Sequence, residues 1–211
     1  MTYGRLAQLV RALGLHPRGH KFDPCTAHHV IMKKWKLLKS VPIFTSKWLN
    51  LLNNTYKLSD GSIGENYYHI ERPDYALIIA RNSNKELLVE TQYRRGVDDI
   101  LLELPAGSVD KNEDFTASAS RELLEETGYS GVPKLLGEVY PQPGFISMKA
   151  YVVQIDLDDR KVQATPDTDE GIEIEFLSED AVEEKIRTNL IKDMGFLSAW
   201  ALYKAVSKDS S

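Results

Sequence analysis

Two rhythms of apolar and polar positions succeed one another along the chain, and the points where one replaces the other mark most of its elements. Residues 35–58 mix apolar and polar positions in the manner of strands, Ser59-Asp60-Gly61-Ser62 is a turn signal, and Ile63–Ile70 returns as the partner strand of a hairpin. Pro73 separates this lead-in from Tyr75–Ala80, a run apolar enough for a strand buried on both faces, and Asn82-Ser83-Asn84 turns the chain into a strand at Leu87–Tyr93. The period then lengthens. Phe115–Thr127 contains no Gly or Pro, follows the capping residue Asp114, and stops at Gly128, which suits the left-handed turn that ends a helix. Strands are predicted at 134–140, 149–157 and 172–177, and Ser178 caps a helical tail. The tail's apolar positions, Ile186, Leu190, Phe196, Leu197, Trp200 and Leu202, recur at helical spacing on either side of Gly195 and predict two helices packed on the sheet. The fold class is therefore α/β: a mixed sheet sandwiched between helices over residues 73–211, preceded by a small N-terminal β-domain, residues 32–72.

Composition narrows the classes of function. With 211 residues, 42% hydrophobic and 27% charged, the chain has globular values and can bury one core with a small appended domain, and no apolar run approaches a membrane span. A net charge of −5 argues against a general nucleic-acid backbone binder, whereas a metal-bridged phosphate substrate needs no basic surface. The single cysteine, Cys25, excludes an internal disulfide and fits a reducing cytoplasm, the expected location.

The chemistry concentrates between Leu104 and Tyr129. At about 100° per residue, Glu122, Glu125 and Glu126 share one arc of the helix, and Ala117, Ser120, Leu124 and Thr127 are expected on the opposite, sheet-packing side. Such an acid triplet reads either as a solvated face or as a metal site. Its position at the helix C-terminus, where the macrodipole disfavours anions and the acids repel one another, favours a hard cation such as Mg²⁺ or Mn²⁺.

The spacing Gly107, five residues, Glu113, seven residues, Arg121-Glu122-Leu123-Leu124-Glu125-Glu126-Thr127-Gly128-Tyr129 resembles the Nudix box, G-x5-E-x7-R-E-U-x-E-E-x-G-U with U apolar. The resemblance implies a Nudix αβα sandwich and a hydrolase that splits a diphosphate bond in a nucleoside diphosphate linked to another group. It also implies that Glu122 and Glu126 ligate Mg²⁺ with the backbone carbonyl of Ala106, and that Glu125 contributes to the same cluster. Arg121 would hold the carboxylates in place and Glu113 would brace the loop. Residues 32–72 resemble the N-terminal strands of the ADP-ribose pyrophosphatase branch, which in that family pair across a dimer. Arg94, in Gln92-Tyr93-Arg94-Arg95, matches a phosphate-binding arginine of that branch, and Tyr140–Phe145 resembles its Ser-Pro-Gly-Phe loop, with Gln142 in place of Ser. Glu170, with Asp169 as substitute, lies in an acidic loop where the branch carries a functional acid that activates water or completes the metal site. Trp48 and Tyr67 are candidates to stack on a base. The expected substrate is ADP-ribose or a related nucleoside diphosphate sugar; the alternatives are a nucleoside triphosphate pyrophosphohydrolase and a catalytically silent Nudix-fold sensor.

Residues 1–31 stand apart, with four of the five histidines and a net charge of +3 against −8 for the remainder. They are expected to be disordered, with translation beginning at Met32. Arg5–Ala12, Lys21–Pro24 and Ala27-His28-His29 can be encoded by stretches resembling, in order, the D-arm, T-loop and terminal CCA of a transfer-RNA gene.

Overall fold

Ser46 turns the chain where the first strand ends: its hydroxyl accepts from the Trp48 and Leu49 amides at 3.2 and 3.1 Å, so β1 (Lys36–Thr45) folds back as β2 (Asn50–Lys57). A second turn, with Gly61 at φ 90°, returns β3 (Ile63–Glu71) against β2. The three make an antiparallel sheet in the order β1-β2-β3. The computed structural model describes residues 33–158, 160–163 and 171–208. The expectations for residues 1–31 and for Glu170 lie outside them.

The main sheet has seven strands. Its spine runs β10 (Glu173–Leu177), β5 (Leu87–Arg94), β4 (Tyr75–Arg81), β9 (Ala150–Leu157), β8 (Gly131–Val139), with β6 (Asp99–Glu103) on β5 and β7 (Ala106–Ser108) on β4. Only β4 and β9 are parallel, so the sheet is mixed. Period-two alternation in β4 sends Leu77 and Ile79 to one face and Ala76, Ile78 and Ala80 to the other, which explains its uninterrupted apolar run. Helices α2 (Glu179–Arg187) and α3 (Met194–Lys208) cover the first face through Val182, Phe196, Ala199, Trp200 and Tyr203. Helix α1 (Phe115–Thr127) covers the second through Ala119 and Leu123. The expected αβα sandwich is the observed architecture.

One feature of the sheet creates the site. β4 and β5 are paired only at Arg81↔Leu87. Beyond that point they splay, β4 taking β7 as partner (Tyr75↔Ser108) and β5 taking β6 (Glu90↔Glu103), so the sheet opens into a cleft between the two pairs. Neither β6 nor β7 is predicted from the sequence, because Asp99–Glu103 and Ala106–Ser108 are too short to show a period. The tail also breaks at 188–193 rather than at Gly195, which lies in the first turn of α3. A Cβ there would come within 3.2 Å of Leu77 Cδ2, so this glycine serves close packing and not a break.

Candidate active site

Both ends of α1 are fixed by the residues the sequence suggests. Asp114 Oδ1 accepts from the amides of Thr116 and Ala117 at 2.9 and 3.3 Å, and Gly128 closes the helix at φ 75°. The buried face differs from expectation. Ser118, Ala119, Leu123 and Thr127 face the sheet, while Leu124 is exposed and Ala117 and Ser120 are not in the buried set. Ser118 Oγ donates to the Ser108 carbonyl at 3.1 Å and Thr127 Oγ1 to the Leu123 carbonyl at 2.5 Å, so these hydroxyls are satisfied inside the core. As a result Glu122 and Glu126 do not lie opposite the core. They sit on its rim: the Glu122 side chain is only 17% exposed, and Oε2 of Glu126 is buried.

Arg121 organises this rim. Its Nε and Nη2 donate to Oε1 and Oε2 of Glu113 at 3.0 and 3.1 Å, its Nη1 to Glu122 Oε1 at 2.9 Å and Glu125 Oε2 at 3.2 Å, and its Nη2 also to the Ser108 carbonyl at 3.2 Å. One guanidinium thus joins β7, the loop and the helix, and offsets the repulsion among acids at the negative end of the macrodipole. Glu113 closes the loop by accepting from the Asp110 amide at 3.1 Å, and the arginine beside it pulls its pKa down to about 2. Burial pushes the Glu122 carboxyl up, against the pull of Arg121.

The backbone of β7 comes onto this carboxylate. A Cβ on Gly107 would lie 1.8 Å from Glu122 Cδ, so only glycine allows Glu122 to rest against the strand that begins at Ala106. This packing places Glu122 against the strand that carries the Ala106 carbonyl, all hard oxygen donors of the kind that suit Mg²⁺ or Mn²⁺. Among the described residues no three His, Cys, Asp or Glu side chains converge as a finished metal cage. Instead, Glu122 and Glu125 are turned to Arg121.

The cleft of the split sheet opens beside Ala106 as a cavity of about 220 Å³, lined by Tyr75, Leu77, Arg94, Glu103, Leu104 and Asp193. Arg94 lines the same cavity as Ala106 and is paired there: its Nε donates to Glu103 Oε2 at 2.7 Å, and its Nη2 forms an ion pair with that oxygen at 2.5 Å.

A family model described as the NUDIX domain matches residues 71–194, more than half of the chain. The chain belongs to the Nudix family. It is 28% identical to an ADP-ribose pyrophosphatase of Bacillus subtilis over 153 residues, 70% of this chain and 81% of that protein. It is 30% identical to a methanol dehydrogenase activator of Bacillus methanolicus over 161 residues, 75% of this chain and 86% of that protein. A match to the ADP-ribose pyrophosphatase of Saccharomyces cerevisiae is 40% identical but spans 76 residues, 35% of this chain and about a third of that protein, 32%. Among solved structures, an ADP compounds hydrolase superposes with a TM-score of 0.74 at 19% identity, covering 85% of this chain and 97% of that one, which shows the shared fold.

Within this Nudix hydrolase the two candidate stacking residues are apart. Trp48 stands on the β1–β2 turn over a second cavity, about 340 Å³, lined also by Lys47, Pro73, Ser108, Val109, Asp110 and Lys111. Tyr67 is instead packed edge-on against Trp35 and Tyr56, with centroids 5.2 and 5.6 Å away. Tyr67 pairs with Asn54 in the register, six positions along the chain from Trp48. The Tyr140–Phe145 loop is held by β3: the Ile70 amide donates to the Phe145 carbonyl at 2.8 Å, and Ser147 donates back to Ile70 at 3.1 Å. Two acids lining the cleft, Glu103 and Asp193, do not stand out in the sequence reading, and Asp193 Oδ2 also accepts from the Phe196 amide at 2.6 Å at the start of α3. Only Glu103 carried a signal, as the single acid inside the otherwise apolar run Ile100–Leu104.

Proposed function

We propose that this Nudix hydrolase cleaves the diphosphate bond of ADP-ribose or a related nucleoside diphosphate sugar, with Mg²⁺ as its metal and Mn²⁺ as a substitute. The observation that carries the reading is the Arg121 hub, which holds three glutamates of the box, one of them resting on the strand that begins at Ala106. A binding protein without turnover has no need of that assembly. The names of the Bacillus subtilis and Saccharomyces cerevisiae relatives support the substrate class.

Glu122, Glu126 and the Ala106 carbonyl would hold the metal, with Glu125 at its edge. A bound divalent cation supplies Lewis-acid polarisation of the phosphate oxygens and lowers the pKa of water. The chain supplies the rest. Arg121 presents the carboxylates in fixed positions, Glu113 holds the loop that carries them, and Arg94 meets a phosphate oxygen in the cleft. Trp48 offers its exposed ring to the base beside Ser108 and Lys111. Glu170, with Asp169 as substitute, is proposed to activate the attacking water; full activity of Glu170→Gln at every pH would remove it from that role.

We further propose that residues 32–72 form a separate β-unit through which two copies pair. All ten residues of β1 are exposed, and Leu37, Leu38, Val41, Ile43 and Phe44 among them form an apolar edge strand of a kind that is otherwise an aggregation hazard. The cytoplasm is the proposed location, on the strength of the single cysteine.

The test is a screen with Mg²⁺ over nucleotide sugars, dinucleotides and triphosphates, read by chromatography of the products: a nucleoside monophosphate with a sugar phosphate from a nucleotide sugar, or with pyrophosphate from a triphosphate. Turnover of ADP-ribose or another ADP-sugar above all triphosphates is expected. Preference for triphosphates would overturn the substrate class, and binding of all without turnover would make the chain a sensor.

A further inference from the structure

Glu103 is a buried acid in an apolar strand, 7% exposed between Leu102 and Leu104. Its direct neighbour across the β5–β6 ladder is Glu90, also buried at 4%. Like charges placed opposite one another on a sheet are unfavourable, and a buried ion pair is weak support for stability compared with apolar packing. Stability alone therefore gives no reason for an acid here. Its partner does. Arg94 is the last residue of β5, its side chain 45% exposed, and its hydrogen bond and its ion pair to Glu103 are both made by the Nε–Nη2 edge to one oxygen. The guanidinium is planar, so fixing that edge directs the Nη1–Nη2 edge away from the carboxylate, in the geometry that binds two phosphate oxygens at once.

We propose that Glu103 is the positioning residue of the cleft: it fixes the plane of Arg94 so that the guanidinium receives a phosphate of the nucleotide sugar beside Ala106. Glu103 does not touch substrate and acts only through Arg94. This rests on the nucleotide-sugar reading above, and it goes further by separating the group that holds the arginine from the groups that bind the metal.

The experiment is a double-mutant cycle of Glu103→Gln and Arg94→Ala, with Glu103→Asp as a conservative variant, read as KM and kcat on ADP-ribose with Mg²⁺ and as ADP-ribose affinity by calorimetry without metal. Glu103→Gln is expected to raise KM about tenfold with kcat within about twofold, as for lost ground-state and transition-state binding alike. Glu103→Asp should recover part of the loss, and in the Arg94→Ala background Glu103→Gln should have no further effect. Unchanged or improved KM in a folded Glu103→Gln protein, or an equal loss in both backgrounds, overturns the positioning role while leaving the activity standing. Wild-type protein that neither binds nor cleaves ADP-ribose overturns the functional reading, and this proposal with it.

Discussion

Arg121 donates from two nitrogens to both carboxylate oxygens of Glu113, at 3.0 and 3.1 Å, across eight residues of sequence. The pair locks the loop to the helix, and its pH dependence follows. Glu113 has a folded pKa of about 2 against an ordinary 4.5, so the carboxylate is the depressed group and its contribution is complete above about pH 4.5. It disappears as the pH falls from there through about 2. Urea unfolding of wild type and Glu113→Gln should show a stability difference that is constant near neutrality and shrinks across that acid window. A difference that does not change with pH would mean that Arg121 does not hold this carboxylate in solution.

Gly107 and Glu122 make a second test. The Cβ of Gly107→Ala would fall 1.8 Å from Glu122 Cδ, a contact that displaces the carboxylate or the strand. The cost expected is that of overpacking, roughly 1–3 kcal/mol, accompanied by loss of most activity because Glu122 leaves its proposed place as a metal ligand. Near-normal turnover would show that Glu122 need not rest on β7.

The order of elements and the box were legible from sequence because both depend on local pattern: caps at Asp114 and Gly128, the apolar run of β4, and charges at fixed spacing. The sheet-facing side of α1 was misread because Ser118 is buried through a bond to the Ser108 carbonyl, a non-local event that a binary pattern scores as polar. The cleft was illegible for the same reason. It exists because β4 and β5 exchange partners after Arg81↔Leu87, and nothing in either strand's own residues announces that exchange. Trp48 and Tyr67 are candidates by ring chemistry alone, and the places their side chains take depend on strand register, which the sequence does not announce.

Glu126 tests the proposed metal site. Its Oε2 is buried at the rim of the core, and Glu126→Gln keeps shape while removing charge. A fall in kcat of at least about a hundredfold, roughly 3 kcal/mol of transition-state stabilisation, is expected with an unchanged melting temperature. Saturating Mg²⁺ should not restore it. Turnover close to wild type would remove Glu126 from the ligand set.

The exposed apolar residues of β1 call for a partner. Light scattering at micromolar concentration is expected to give twice the mass of one chain. Phe44→Glu with Ile43→Lys should halve it, since both residues are more than half exposed in the single chain, at 54% and 52%. A monomeric wild type would overturn the pairing, and a dimer unaffected by these changes would place the interface elsewhere.

Tyr203 carries the last test, at the end of the sheet away from the chemistry. Its hydroxyl accepts from Arg81 Nη1 at 2.7 Å and donates to Glu179 Oε1 at 2.8 Å, while Arg81 also reaches Asp156 Oδ1 at 2.6 Å and Lys204 reaches Glu179 Oε2 at 2.7 Å. One buried phenol, 2% exposed, therefore joins β4, α2 and α3. Tyr203→Phe keeps the ring that packs on Trp200 and removes only the hydroxyl, leaving Arg81 and Glu179 each one partner short in a half-buried setting. The loss expected is about 1–3 kcal/mol, seen as a lower urea midpoint with kcat and KM unchanged. Because Glu179 and Lys204 are paired at the surface, high salt should weaken their bond but leave most of the Tyr203 effect in place. A variant as stable as wild type would show that the ring, and not the hydroxyl, is what fastens α3 to the sheet.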